Sequence, residues 1–269
     1  SGHAKLYENN ADPPTSLYET GFWQWLWLQD QVNAGKLNRQ ADQYNSLQEK
    51  LVNRFAQLKL QHPGETLYFS CCKDTDEDRG TVQYLEDCAH AAGVNCKFIY
   101  VEDIGLSADN CFTDLDNLAI TWMFKLYPWE FMLREEFADN LAQSNVSWIE
   151  PPWKSVLSNK ALLPMLWKMF PNHPNLLPTF FEDELKNSQL QNYVKKPIFA
   201  REGANISIHL AGKEVYSSPG PYGDEGYIYQ AYSPLPAFGD NFTLIGSWLV
   251  NDQPAGISVR EDKNKITQD

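Results

Sequence analysis

No apolar run in this 269-residue chain approaches the ~20 residues that a membrane-spanning helix needs, and no charged-then-apolar leader opens it. The phosphate loop Gly-x-x-x-x-Gly-Lys and the dinucleotide fingerprint Gly-x-Gly-x-x-Gly are both absent. So is the Gly-x-Ser-x-Gly nucleophile elbow. His3, His62, His90, His173 and His209 form no i, i+4 pair of the kind that binds zinc on a helix. The five cysteines, Cys71, Cys72, Cys88, Cys96 and Cys111, are odd in number and contain no Cys-x-x-Cys. A disulfide framework is therefore excluded, and a reducing, cytoplasmic setting is expected. Basic residues are scarce too: 22 against 35 acidic ones, a net charge of −13. That balance disfavours a sequence-independent nucleic-acid binder, and it leaves room for a cationic substrate such as an amine.

What is present is a globular composition, 43% hydrophobic with aromatics throughout, long enough for one large or two moderate domains. The first residues, Ser1-Gly2-His3, and the last, Ile266 to Asp269, both read as cut ends. Thr15 or Ser16 is placed to cap a helix with Glu19 in its first turn. Phe22, Trp23, Trp25, Leu26 and Trp27 make that helix apolar nearly all round, which predicts burial between layers. A second helix over 41–60 carries Leu47, Leu51, Phe55 and Leu58 as one stripe, and His62-Pro63-Gly64 ends it. Thr66 to Cys72 reads as a buried strand, Lys73 to Gly93 as a turn and helix, and Asn95 to Val101 as a second strand. Strand, helix, strand in that order is a βαβ unit with parallel pairing. Asp74 to Asp78 falls at the helix start, where negative charge suits the dipole; an amine-docking patch is the other reading. Further on, 120–127 reads as a strand, 128–142, 159–170 and 182–191 as helices, and 227–232, 242–250 and 254–260 as strands.

Val194 to Asn205 gathers Lys195, Lys196, Pro197, Arg201 and Gly203, followed by the alternating Ile206 to Leu210. This predicts strand, glycine turn, strand, with cations at the mouth of the turn. Backbone N–H groups at a glycine turn approach an anion closely, and lysine and arginine add point and fork charges. A phosphate site and an ordinary hairpin with solvated lysines both fit. Glu8 and Asn10, two residues apart on an expected strand, would face the same side and could share Mg2+ with phosphate oxygens, or serve as turn polars. Lys160 follows Ser158-Asn159 at a helix start, where a lone lysine is usually solvated. Arg260, in Val259-Arg260-Glu261-Asp262, offers a guanidinium for a phosphoryl or carboxylate group, or simply charges an edge strand.

Six motifs occur together in order: Glu8 to Asp12, Tyr127-Pro128-Trp129-Glu130, Glu150 to Lys154, Ser158 to Pro164, Lys196-Pro197-Ile198 with Arg201 to Asn205, and Ser258 to Asp262. In this the chain resembles, over essentially its whole length, the synthetase domain of the glutathionylspermidine synthase family. It is most similar to the bacterial stand-alone members without the amidase domain. The resemblance implies an α/β protein of α+β lobes: an ATP-grasp fold with an additional small βαβ-containing domain of pre-ATP-grasp type. It implies an ATP-dependent carboxylate–amine ligase that forms an amide through an acyl phosphate, joining a glutathione-like peptide to a polyamine such as spermidine.

By the same resemblance Lys160, Lys196 and Gly203 would hold ATP phosphates, Gln230 and Ala231 would meet adenine, and Glu8 and Asn10 would carry Mg2+. Arg260 and Arg201 would steady the transferring phosphoryl group. Thr15, Ser16 and Glu130 would line the acid or amine site, although Pro13 replaces a hydroxyl residue common in the family. Family members also carry a preceding segment with a further acidic metal ligand and an arginine; neither has a counterpart in these residues. The expected division is 1–64 as the start of the synthetase domain, 65–150 as the small α/β domain and 151–269 as the ATP-grasp lobes. A non-catalytic nucleotide- or peptide-binding protein on the same scaffold is the rival reading, and simple phosphoryl transfer is a third. Neither a nucleic-acid nor a membrane partner is expected.

Overall fold

Four parallel strands form around the strand–helix–strand unit expected from the sequence. The computed structural model describes residues 2–13 and 15–267. The chain packs into two units: one comprises the chain up to Asn10, Val156–Ile245 and the chain from Val259, the other Ala11–Ser155 and Gly246–Ser258.

In the second of these, a π-helical turn, Glu19–Trp23, leads into α1 (Gln24–Asn33), and α2 (Leu47–Gln61) follows a loop. Then come β1 (Thr66–Cys71), α3 (Asp76–Ala91), β2 (Asn95–Phe98), the short pair β3 (Gly105–Leu106) and β4 (Phe112–Thr113), and β5 (Trp122–Leu126). Two four-residue helices, α4 (Trp129–Met132) and α5 (Ala138–Leu141), precede β6 (Ser147–Ile149). The sheet order is β2-β1-β5-β6, parallel throughout. Successive residues of β1 face opposite sides, so Leu67, Phe69 and Cys71 enter one core while Tyr68 enters the other. Helix α3 begins where the Thr75 side chain accepts from Asp78 N at 3.1 Å, with Asp76, Glu77 and Asp78 in the first turn. It ends at Gly93, whose φ of +74° suits a residue without Cβ. Leu47 and Phe55 are buried, and Leu51 and Leu58 pack beside them, which bears out the stripe on α2.

Three expectations need correction. The aromatic helix forms but is not a core helix: Trp23 is 54% and Trp27 58% exposed, and α1 buries no residue. Apolar residues spread around a helix cannot all face one core, and here the buried residues over 15–23 are Leu17 and Thr20. The helix expected over 128–142 breaks into α4 and α5; Trp129 is buried in the first and nothing in the second, so no continuous buried face sustains it. The helix expected over 182–191 stops at Leu185, and Gln189 takes a left-handed φ of 57°.

α6 (Lys154–Ser158) spans the boundary between units, and α7 (Leu162–Met169) lies within the other. There β7 (Thr179–Phe181), α8 (Glu182–Leu185), β8 (Tyr193–Pro197), β9 (Ser207–Leu210), β10 (Lys213–Ser217) and β11 (Tyr227–Ala231) follow. Their sheet is antiparallel, in the order β10-β9-β8-β11-β7. β12 (Ala237–Phe238), β13 (Asn241–Val250) and β14 (Gln253–Asp262) make a separate three-stranded sheet. Ile206, Ile208 and Ile266 form the buried cluster of this unit. A parallel βαβ unit and an antiparallel unit together make the mixed α/β fold that was expected.

Candidate active site

Strand β8 delivers Lys196 into the interior, next to Ile228 of β11 in the ladder. The lysine is 6% exposed, and its ammonium donates to Gln230 Oε1 at 2.8 Å and to the Tyr7 carbonyl at 3.0 Å. Gln230, itself 1% exposed, donates from Nε2 to the Leu6 carbonyl at 3.1 Å. A buried charge needs such acceptors, because leaving it unpaired in a dry interior is costly. Residues 2–10 form no strand, contrary to expectation, because side-chain and loop groups rather than a neighbouring strand take up their main chain: besides these bonds, Leu6 N donates to the Asn175 carbonyl at 2.8 Å.

Glu8 follows at once on that segment. Its Oε2 lies 3.5 Å from Lys160 Nζ, and its Oε1 accepts from Asn10 Nδ2 at 3.4 Å. Lys160 occupies the gap between α6 and α7, where Asn159 Oδ1 accepts from Ala161 N at 3.0 Å. Contrary to the solvated lysine that usually fills such a position, Lys160 is buried, and its Nζ donates to the Ala200 carbonyl at 2.8 Å. The main chain reinforces this: Lys160 N donates to the Ile198 carbonyl at 3.0 Å. The segment after β8 therefore supplies the acceptor that turns Lys160 inward.

The electrostatics follow from this packing. Desolvation pushes the Lys196 pKa down to about 8; Glu8 opposes the shift and Lys160 adds to it. Desolvation alone would raise the Glu8 pKa. The charges of Lys160 and Lys196 and the hydrogen bond from Asn10 outweigh it, so the carboxyl is held below its ordinary value. The carboxylate keeps 40% of its side-chain surface open to solvent and can be reached by a ligand. One carboxylate and one amide suit a Mg2+ ion that takes most of its oxygens from phosphates and water. Among the described residues no group of three or more His, Cys, Asp or Glu could cage a metal alone.

The structure thus brings together Glu8, Asn10, Lys160, Lys196 and Gln230. Arg201 and Gly203 lie in the loop that leaves Ala200, where Glu202, Gly203 and Asn205 have φ of 53°, 69° and 54°. The tight turn expected there is a longer loop. It is pinned by Ser218 Oγ donating to the Gly203 carbonyl, and by Tyr222 N donating to Asn205 Oδ1 at 2.7 Å. Ala231 ends β11, with its N–H donated to the Pro178 carbonyl at 2.7 Å. Arg260 lies half-buried on β14 in the same unit. Thr15, Ser16 and Glu130 belong to the other unit. There the Ser16 carbonyl, rather than its hydroxyl, accepts from Thr20 N and Oγ1 at 3.2 and 2.6 Å. Glu130 opens α4 beside the buried pair Asp12–Lys125.

Sequence reasoning missed the clamp made by Gln230 and the carbonyls of Leu6 and Tyr7. A glutamine in the apolar run Tyr227 to Tyr232 was the available signal, since a buried amide must find partners.

The profile of the family described as glutathionylspermidine synthase preATP-grasp matches residues 1–269. A Haemophilus influenzae protein assigned as an acid–amine ligase is 41% identical over 98% of this chain and 68% of its own length. Trypanothione synthetase of Crithidia fasciculata and the bifunctional glutathionylspermidine synthetase/amidase of Escherichia coli are each 27% identical, and the chain spans 43% and 45% of their lengths. In fold, a solved glutathione synthetase-like effector from Globodera pallida matches with a TM-score of 0.54 over 85% of this chain and 55% of its own, at 12% identity. By the profile match over residues 1–269 and the 41% identity to the Haemophilus influenzae protein, the chain belongs to the glutathionylspermidine synthase preATP-grasp family, a family of C–N-forming acid–amine ligases.

Proposed function

We propose that this chain provides the phosphate- and metal-holding part of an ATP-dependent carboxylate–amine ligase. The observation that carries the reading is the convergence of Lys160 and Lys196 on one partly open carboxylate, Glu8, with Asn10 beside it. Two ammonium groups held by neutral carbonyls are set to receive phosphate oxygens, and the acid–amide pair is set to receive Mg2+. When bound, ATP with Mg2+ would supply the phosphoryl group that activates a carboxylate for attack by an amine.

Within this reading Lys160 and Lys196 orient the phosphates, Glu8 and Asn10 hold the cation, and Gly203 brings main-chain N–H groups near. Arg201 and Arg260 neutralise charge that builds on the transferring group. Ala231 stays the candidate for an adenine contact through its main chain. The side chain of Gln230 acts instead on Lys196, because both of its polar atoms are already engaged. The names of the relatives support a glutathione-like acid and a polyamine-like amine, with Thr15, Ser16 and Glu130 as the residues lining their site. Five unpaired cysteines support a reducing, cytoplasmic setting. No helix among the described residues is long and apolar enough to cross a membrane.

ADP release with ATP, Mg2+, glutathione and a panel of amines tests the proposal. Release that requires both acid and amine is expected. Release with one of them alone would point to simple phosphoryl transfer, and none with any pair would leave a binding protein.

A further inference from the structure

Glu8 stands in a position that two different ligands would want changed. Its present neighbours are cations: Lys160 Nζ at 3.5 Å, and Lys196 close enough for its charge to hold the carboxyl in its ionised form. Both lysines take their other acceptors from neutral groups, the carbonyls of Tyr7 and Ala200 and the Gln230 amide oxygen. Two positive charges and one negative charge therefore meet here, and the negative one sits where an incoming phosphate would find its counter-ions. A bare diphosphate must displace Glu8 from the lysines or endure its repulsion. A diphosphate that arrives with a divalent cation meets no such conflict. The carboxylate can turn from the lysines to the cation, and charges then alternate in the order lysine, phosphate, cation, carboxylate.

We propose that Glu8 is the specificity-determining residue by which this site refuses metal-free nucleotide and accepts metal-bound nucleotide. As counter-ion of Lys160 and Lys196 it opposes bare phosphates, and as a ligand of the cation it rewards phosphates that bring one. This rests on the nucleotide reading above and goes beyond it, since a metal ligand alone need not oppose the bare nucleotide. The coupling is reciprocal: whatever factor the cation adds to nucleotide affinity, the nucleotide adds to cation affinity.

The test is calorimetric titration of the protein with ADP, in EDTA and in excess Mg2+, for wild type, Glu8→Gln and Asn10→Ala. Glu8→Gln keeps the shape and removes the charge. It is expected to bind ADP in EDTA more tightly than wild type, on the order of tenfold for one opposing charge at a partly solvated separation. Its gain on adding Mg2+ is expected to shrink. Asn10→Ala removes an oxygen ligand and keeps the Glu8 charge, so its Mg2+ gain falls without the tightening in EDTA expected of Glu8→Gln. Glu8→Ala carries the same expectation as Glu8→Gln and replaces it if circular dichroism finds that variant unfolded. Glu8 variants that bind ADP in EDTA no more tightly than wild type overturn the proposal. So does Asn10→Ala tightening as much as they do, for then loosening of the segment and not charge is responsible. Wild type that binds ADP in neither buffer fails the nucleotide reading itself, a different result from wild type that binds while Glu8→Gln gains nothing.

Discussion

Lys125 Nζ and Asp12 Oδ1 meet at 2.6 Å with side chains 2% and 0% exposed, a sealed ion pair at the end of β5. The remaining acceptors and donors are arranged around it. Asp12 Oδ2 accepts from Trp129 N at 3.0 Å, Lys125 also donates to the Tyr127 carbonyl at 2.8 Å, and the Trp129 ring lies 4.6 Å from the ammonium. Burial pushes the Asp12 pKa up and that of Lys125 down, and each partner's charge works against the other's shift. Removing either partner takes from the other, buried charge the opposite charge that faces it at 2.6 Å. Lys125→Met and Asp12→Leu are each expected to lose about 3–5 kcal/mol in urea denaturation, and the double variant less than the sum. Additive losses would show that the two do not act as a pair.

Asp114 predicts an acid limb. Burial alone would raise its pKa, but Lys97, the Leu118 and Asp116 N–H groups and the Tyr68 hydroxyl outweigh it and hold it at about 2. A carboxyl whose folded pKa lies below its unfolded value stabilises the fold above the unfolded pKa, near 3.9. That contribution is lost as pH falls from about 4 towards 2. The urea midpoint of the wild type should drop through this window, and that of Asp114→Asn should drop less.

Lys196→Met is expected to weaken ADP binding in Mg2+ by roughly 10–100-fold, from the 1.5–3 kcal/mol of a charge-assisted hydrogen bond. Wild-type affinity should itself decline as pH rises past about 8, where the buried ammonium loses its proton. Undiminished affinity in the variant, measured by calorimetry, would remove the lysine from the proposed phosphate site.

The exposed aromatic helix has a stability signature of its own. Trp27→Ser should change unfolding free energy by no more than about 0.5 kcal/mol, as for surface positions generally. Trp122→Ala, at a residue 1% exposed, should cost about 3–5 kcal/mol. A large loss at Trp27 would restore the core-helix reading.

Much of the parallel unit was legible because its signals are local. Thr66 to Cys71 is a short apolar run, Thr75 caps the helix that follows, and Gly93 closes it. The residues of α1 were misjudged because apolar content tells what a helix could bury, not whether a partner surface lies there. Lys160 and Lys196 were found through motif order, yet their burial was not. What turns them inward is a set of main-chain carbonyls at Tyr7 and Ala200, and a carbonyl has no letter in a sequence. The joining of the first residues to the antiparallel unit was invisible for the same reason.

The bond from Gln230 to the Leu6 carbonyl ties together positions 224 residues apart. During synthesis, the segment bearing Glu8 and Asn10 therefore lacks this anchor until β11 has emerged from the ribosome. Closures of such span are slow, since loop entropy is lost before any contact compensates for it. The parallel βαβ core, whose strands follow one another closely, can assemble during that delay, so the surroundings of Glu8 and Lys196 are among the last parts of the nascent molecule to mature.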